Sequence, residues 1–386
     1  MMTKENSPIE KRARINMVDA LRGFALMGLF IVHMVEYFEL YWYKPEPGLI
    51  HDLVFFLFGG KAYGIFALLF GLSFYIIMDN YNRKGHDFRK RFLWRLALLW
   101  CFGYVHSLIY AGDILQLLAI CGLILVLLHT LSTKWMYVFA FLFLVQVPAI
   151  AQLFKHIYFS DPGYVQPQFY SLMGDNFEVF AHGSFSELVQ HNIWRGQLAK
   201  WAFFIESGRL WNIFGLMFVG VILGRNGFFE REKYNIKKLI IGLIIFSGFF
   251  VALTMTKATF TSSFSIGMPQ WVADQLWSYY INLAVIGAGV LLFVLVYQIR
   301  LGAGLLSLWS PAGRMSLTLY LAQGFIFVPL YYGFGLAWYD SLGQLWSLVL
   351  GVIFWVVQMF LAAWWLKTHQ YGPLEWVWRK GTHIRR

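Results

Sequence analysis

The chain has 386 residues, of which 59% are hydrophobic, 20% aromatic and 13% charged. Soluble domains carry about 25% charge, so too little polar surface exists here to cover a water-facing globule, which excludes a cytosolic enzyme, a secreted disulfide scaffold and a disordered chain. The formal net charge of +11 fits the accumulation of basic residues in cytoplasmic loops of a membrane protein, and no nucleic-acid partner is expected.

A membrane-spanning helix needs roughly 20 mostly apolar residues. Such runs predict an all-α, polytopic transmembrane helix bundle forming a single integral membrane domain over 1–386. Ten spans are expected, at about 17–38, 61–79, 91–110, 114–130, 135–156, 207–224, 237–256, 276–299, 312–333 and 343–366. The first is too polar at its start for a signal peptide, because Asp19 and Arg22 interrupt it and no small-residue cleavage site follows. The apolar stretch 50–79 is too long for one span, and Gly59-Gly60 is its natural break. His51–Phe58 is therefore predicted to lie at the interface, with the span beginning at Lys61.

With ten spans, both termini share one side with the loops at 80–90, 131–134, 225–236 and 300–311. That side carries 23 of the 31 basic residues, which places it in the cytoplasm. Residues 368–386 then form a cytoplasmic tail and 157–200 an extracytoplasmic loop, long enough for a lid or an acceptor-binding surface. The loop has turn signals at Asp161-Pro162-Gly163, Met173-Gly174-Asp175 and His182-Gly183-Ser184, then a helical run around 184–200. Cys101 and Cys121 sit inside apolar runs without motif spacing and predict neither a disulfide framework nor a zinc site.

Ionisable groups inside spans are costly and mark candidate sites. In the first span Asp19, Arg22, Leu26, Leu29, His33 and Glu36 follow helical spacing and form one stripe. Arg22 and His33, eleven residues apart, share nearly one face about 16 Å apart along the axis. A structural alternative makes Asp19–Arg22 an anchor for the helix end and His33 hydrogen-bonding glue. Lys61, His106, Asp113, Glu206 and Arg209 are expected at the outer side. There His106 and Asp113 could instead lock a hairpin turn, and Lys61 and Arg209 could reach headgroups. The cluster Arg83, Lys84, Arg89, Lys90 and Arg91 fits a topology determinant, with docking of an anionic nucleotide as the alternative. Arg314, Ser316, Thr318, Tyr320 and Gln323 make the ninth span unusually polar, which predicts an interior position.

Four segments resemble the YeiB-like family of multi-pass bacterial membrane proteins, whose conserved region is the domain of unknown function 418. They are Val18-Asp19-Ala20-Leu21-Arg22-Gly23-Phe24-Ala25, Phe66-Ala67-Leu68-Leu69-Phe70-Gly71, His106 with Gly112-Asp113-Ile114-Leu115, and Gly313-Arg314-Met315-Ser316-Leu317-Thr318 with Gly372-Pro373-Leu374-Glu375-Trp376-Val377-Trp378-Arg379. The resemblance implies a bacterial plasma (inner) membrane protein. The first-span pattern is also similar to transmembrane acyltransferases, including heparan-α-glucosaminide N-acetyltransferase and bacterial O-acetyltransferases of cell-surface glycans. In the latter an arginine precedes a catalytic histidine by eleven residues, the spacing of Arg22 and His33. YeiB-like proteins often carry Asn at the second of these positions, so His33 departs toward the enzyme pattern. The histidine that the glucosaminide enzyme carries after its first span has no counterpart in Tyr41-Trp42-Tyr43-Lys44.

The likeness implies transfer of an acyl (acetyl) group from cytoplasmic acyl-CoA, as co-substrate, to an extracytoplasmic or membrane acceptor such as a glycan, a lipid or a small molecule. No metal is expected. His33 would be the general base, oriented by Glu36. His106 with Asp113 is a second candidate. Lys61 or Arg209 would stabilise the oxyanion. Arg22 with Asp19 and the basic loop would hold the CoA phosphates. The alternatives are a carrier or flippase for a small anionic solute or lipid, against which stands the lack of an internal hydropathy repeat, and a non-catalytic accessory or sensor protein.

Overall fold

The computed structural model describes residues 15–159, 167–230 and 234–383, and every regular element among them is a helix. The first, α1 (Asn16–Val35), is the axis of the bundle. It buries side chains all round, including Val18, Leu21, Ala25, Phe30 and Met34, so the polar stripe of Asp19, Arg22, His33 and Glu36 is not the one protein-facing side of a lipid-facing helix. It ends where Tyr37, Phe38 and Glu39 take φ of 53°, 50° and 84°. Three consecutive L-residues in this region cost roughly 1–2 kcal/mol each, and they turn the chain back on itself.

Next come α2 (Leu49–Leu57) and α3 (Lys61–Asn82). They are parted by the expected glycine break, where Gly60 sits at φ 77° against Asn282. The two together make one apolar run of 34 residues. The helices α4 (Arg89–Ser107) and α5 (Leu115–Leu128) flank the turn that holds Gly112 and Asp113. A 49° bend separates α6 (Thr133–Leu144) from α7 (Val147–Phe159).

The hydrophilic stretch is mostly helical. It holds α8 (Gln168–His182) and α9 (Phe185–Glu206), and α10 (Arg209–Arg225) follows α9 through a 66° bend at Gly208. Met173-Gly174-Asp175 lies inside α8 and not in a turn, because burial of Phe169, Asn176 and Phe180 along one side holds the helix through it. His182-Gly183-Ser184 does form a turn. Ser184 Oγ accepts from Glu187 N while Ser184 N donates to Glu187 Oε2, a capping box that sets the start of α9. Asp161-Pro162-Gly163 lies outside the described residues.

A long pair, α11 (Ile236–Ser262) and α12 (Met268–Tyr297), stands beside the bundle. The chain finishes with α13 (Arg300–Leu306), α14 (Ser310–Arg314), α15 (Ser316–Tyr331), α16 (Trp338–Ser341), α17 (Gly343–Trp365) and α18 (Pro373–His383).

All ten predicted runs are helical. Five are long and apolar enough to cross a membrane by length and composition, or seven if each bent pair is one crossing. The other three runs are α4, α5 and α15. The helix α4 carries Arg89, Lys90, Arg91 and Arg95. The 14 residues of α5 and the 16 of α15 rise only about 21 and 24 Å, short of a hydrocarbon core of about 30 Å.

Two close crossings fix the centre. On α1 and α14, a side chain at Gly23 would run into the Trp309 carbonyl, and one at Gly313 into that of Asp19. On α3 and α10, Gly71 meets the Met217 carbonyl and Gly220 that of Leu68. Small residues let backbones approach where lipid offers no hydrophobic drive between helices.

Candidate functional site

The two ends of α1 carry two different polar sites. At its N-terminal end Arg22 Nη1 lies 3.1 Å from Asp19 Oδ1, and Nη2 donates to Ser73 Oγ at 2.8 Å. These three residues line a cavity of about 450 Å³ that also takes side chains from α4, α5, α14, α15 and α18. Four arginines reach it: Arg22, Arg95, Arg314 and Arg379. Arg95 packs its guanidinium over the Trp378 ring at 4.2 Å, and Trp378 Nε1 donates to the Arg95 carbonyl at 2.8 Å. Phe66, Phe70, Leu115 and Leu118 give the cavity an apolar wall as well. A cationic, guanidinium-rich rim over an apolar wall suits a ligand with phosphate oxygens at one end and a hydrocarbon or thioester arm at the other.

The polar start of α15 is closed by the chain's last helix. Glu375 Oε1 accepts from Leu317 N at 2.7 Å and Thr318 N at 3.0 Å, and Oε2 accepts from Thr318 Oγ1 at 2.6 Å. In return Leu374 N donates to Thr318 Oγ1 at 3.1 Å. A carboxylate on the free amides at a helix start satisfies them and favours the dipole.

At the other end of α1, His33 Nδ1 lies 2.8 Å from Glu36 Oε1, and Trp42 Nε1 donates to Glu36 Oε2 at 3.3 Å. Tyr110 O–H lies 3.0 Å from His33 Nδ1. The phenol also hydrogen-bonds Glu39, which lies within electrostatic reach of Glu36, Lys200 and Arg209. The left-handed turn after α1 is what brings Glu39 back to this point. A side chain at Gly112 would collide with Glu39 Oε1 and crowd Tyr110 Oη, so this glycine makes room for the pair. Because Nδ1 faces a carboxylate, Nε2 is the nitrogen left to act as base. The His33 side chain retains 16% exposure.

His106 and Asp113 pair at 2.8 Å with side chains only 1% and 0% exposed. Asp113 Oδ1 accepts from Leu115 N at 2.9 Å and Gln116 N at 3.4 Å, capping α5. His106 Nε2 has no hydrogen-bond partner among the described residues and lies against Gly324 of α15. This geometry has the marks of a turn lock.

A row of rings joins the two sites. Tyr320, on the cavity wall, lies 5.3 Å from His106 between centroids, His106 lies 5.8 Å from Tyr110, and Tyr110 lies 5.3 Å from His33. Thus His33, Glu36, His106 and Asp113 gather around Tyr110, and Arg209 approaches Glu36 from α10. Lys61 has its contacts elsewhere: it donates to the Phe55 carbonyl at 3.0 Å, near the Phe56 ring. Glu206 accepts from Gln168 N and Phe169 N at the start of α8.

Glu39, Tyr110, Lys200, Arg95, Arg379 and Glu375 were not singled out individually from sequence. Arg379 and Glu375 stand within a quoted family segment, and Tyr110 directly precedes the tight turn, which is the signal that could have found it. Glu39 had none, since a left-handed turn without glycine leaves no trace in the residues.

Residues 14–180 match the family model described as heparan-alpha-glucosaminide N-acetyltransferase, catalytic, and residues 223–385 match the one described as protein of unknown function (DUF418). The chain is 26% identical over 98% of its length to an uncharacterized 39.9 kDa protein in the amylase 3′ region of Bacillus acidopullulyticus, covering 96% of that protein. It is 24% identical to the uncharacterized protein YxaH of Bacillus subtilis (strain 168), over 98% and 96% of the two chains. With the uncharacterized protein YeiB of Escherichia coli (strain K12) it shares 23% identity over 95% of each.

Proposed function

For a chain that belongs to the YeiB-like family and whose first half matches the catalytic part of an acetyltransferase, we propose a transmembrane acyltransferase that moves an acetyl group from cytoplasmic acyl-CoA to an acceptor on the other side. The observation that carries this is the division of α1: an arginine-rimmed cavity at its Arg22 end and a carboxylate-oriented histidine at its His33 end. Arg22, Arg95, Arg314 and Arg379 bind the donor's phosphates, and the apolar wall receives its arm. His33 Nε2 takes the proton of the acceptor, with Glu36 holding the ring. His106 and Asp113 position the turn beneath Tyr110.

The same reading carries ten crossings in the plasma membrane of a bacterium, with both termini cytoplasmic and the α8–α9 hairpin outside. Purified protein in lipid nanodiscs, given radiolabelled acetyl-CoA and an envelope extract, is expected to release CoA and label an acceptor. Binding without release would favour a carrier. Impermeant labelling of Ser171→Cys in intact cells, with Gly85→Cys protected, checks the orientation; the reverse pattern inverts it.

A further inference from the structure

Of Lys61 on α3, Lys200 on α9 and Arg209 on α10, two are engaged. Lys61 donates to the Phe55 carbonyl. Arg209 is packed over the Tyr63 and Phe203 rings at 5.1 and 4.6 Å and hydrogen-bonds Tyr279, while its Nε has no partner among the described residues. Lys200 differs. It is 3% exposed, and its Nζ has no hydrogen-bond partner among the described residues. It shares the buried side of α9 with Asn192 and Gly196. That helix is fastened over the site, since Asn192 Nδ2 donates to the Leu108 carbonyl at 3.1 Å and Gln197 Nε2 to Ser107 Oγ at 2.7 Å. The carboxylates of Asp113 and Glu39 act on it electrostatically. A buried ammonium with three unused donors gives up hydration for no hydrogen bond in return. Such a group is ready for an oxygen that carries charge only during reaction.

We propose, on the acyltransferase reading above, that Lys200 is a catalytic residue that holds the oxyanion. The acceptor's hydroxyl oxygen bonds to the thioester carbonyl carbon as its proton passes to His33 Nε2. The carbonyl π pair moves onto oxygen, where the Lys200 ammonium donates to it. The pair then returns, the C–S bond breaks, and the leaving thiolate takes the proton from His33, giving ester and free thiol. Lys200 lies between the two stretches that the family models match.

The test compares wild type, Lys200→Met and Lys200→Arg in nanodiscs, reading acetyl-CoA binding, kcat for transfer and melting temperature. The expected result is a loss of about 10²–10³ in kcat for Lys200→Met, with unchanged donor binding and melting, and partial rescue in Lys200→Arg. If Lys200→Met transfers within threefold of wild type, the lysine assignment is overturned and the reaction stands. If wild type binds acetyl-CoA and transfers nothing, the reaction fails and the assignment with it. Lys200→Gln, which keeps a donor without charge, replaces the Met variant if that does not fold, with the same loss expected.

Discussion

The hydroxyl of Tyr110 lies 3.0 Å from Nδ1 of His33. Through it a second carboxylate, Glu39, joins the pair that Glu36 makes with the imidazole. The base is thus held on one nitrogen by two acids that reach it from the helix end and from the turn beyond. Tyr110→Phe keeps the ring packing and removes this link. The expected outcome is a roughly tenfold lower kcat at unchanged donor affinity, and a stability loss of about 1–3 kcal/mol, the cost of leaving a buried partner unsatisfied; steady-state kinetics with thermal melts read both.

His33→Asn tests the base directly. Asn can keep one hydrogen bond at this partly exposed position, so the melt should change little. Transfer should fall by about 10²–10⁴-fold, the usual worth of a positioned general base. Full activity here, with loss in His106→Asn, would move the base to His106.

His106 and Asp113 should respond differently. Their side chains are essentially unexposed, and leaving one partner of a buried hydrogen bond unsatisfied costs about 1–3 kcal/mol. Asp113→Ala also strips the cap from Leu115 N. A large drop in melting temperature is expected for it, before any kinetic effect is read. A stable but inactive Asp113→Ala would place this carboxylate in the chemistry instead.

At the opposite end of α1, Arg22→Gln removes one guanidinium from the cavity rim while Ser73 stays in reach. The expected effect is weaker acyl-CoA binding, by about tenfold, with kcat preserved at saturating donor. Titration of CoA by calorimetry separates this from damage at His33. Equal affinity in wild type and variant would take Arg22 out of the donor site.

Glu375→Ala tests the closing of α15 from the chain's far end. Three donors lose their acceptor at once. A loss of about 0.5–2 kcal/mol is the range for a helix cap, and the buried position puts the expected value at its upper end. Hydrogen exchange at Leu317 and Thr318 should speed up in the variant, while that of α9 stays as it is.

Much of the frame was legible because helical runs in a membrane protein announce themselves by composition. The glycine break before Lys61, the Arg22–His33 spacing and the tight turn at Gly112-Asp113 all came from the residues. The span count did not follow as directly, since α5 and α15 are apolar yet too short to cross alone. Lateral placement was invisible too. Nothing in the spacing says that Lys61 turns back to the Phe55 carbonyl, or that Lys200, at the end of the predicted outer loop, is buried. Glu375 lies 58 residues from the amide it caps, a link that only the folded bundle makes.

The row of rings from Tyr320 through His106 to Tyr110 bears on the energetics of a reaction whose donor and acceptor enter from its two ends. These three residues are each 5% exposed or less, so the row is a dry segment across which a membrane voltage would fall. Moving one charge through such a voltage is worth about 2.3 kcal/mol per 100 mV. With a hydroxyl acceptor, however, the donor side gives up an acylium equivalent and gains a proton, while the acceptor side does the opposite. The two unit charges travel in opposite directions and cancel, so the completed exchange is electrically silent. Turnover in sealed vesicles should then be indifferent to an imposed potassium diffusion potential, and the cell could run this chemistry without drawing on its voltage.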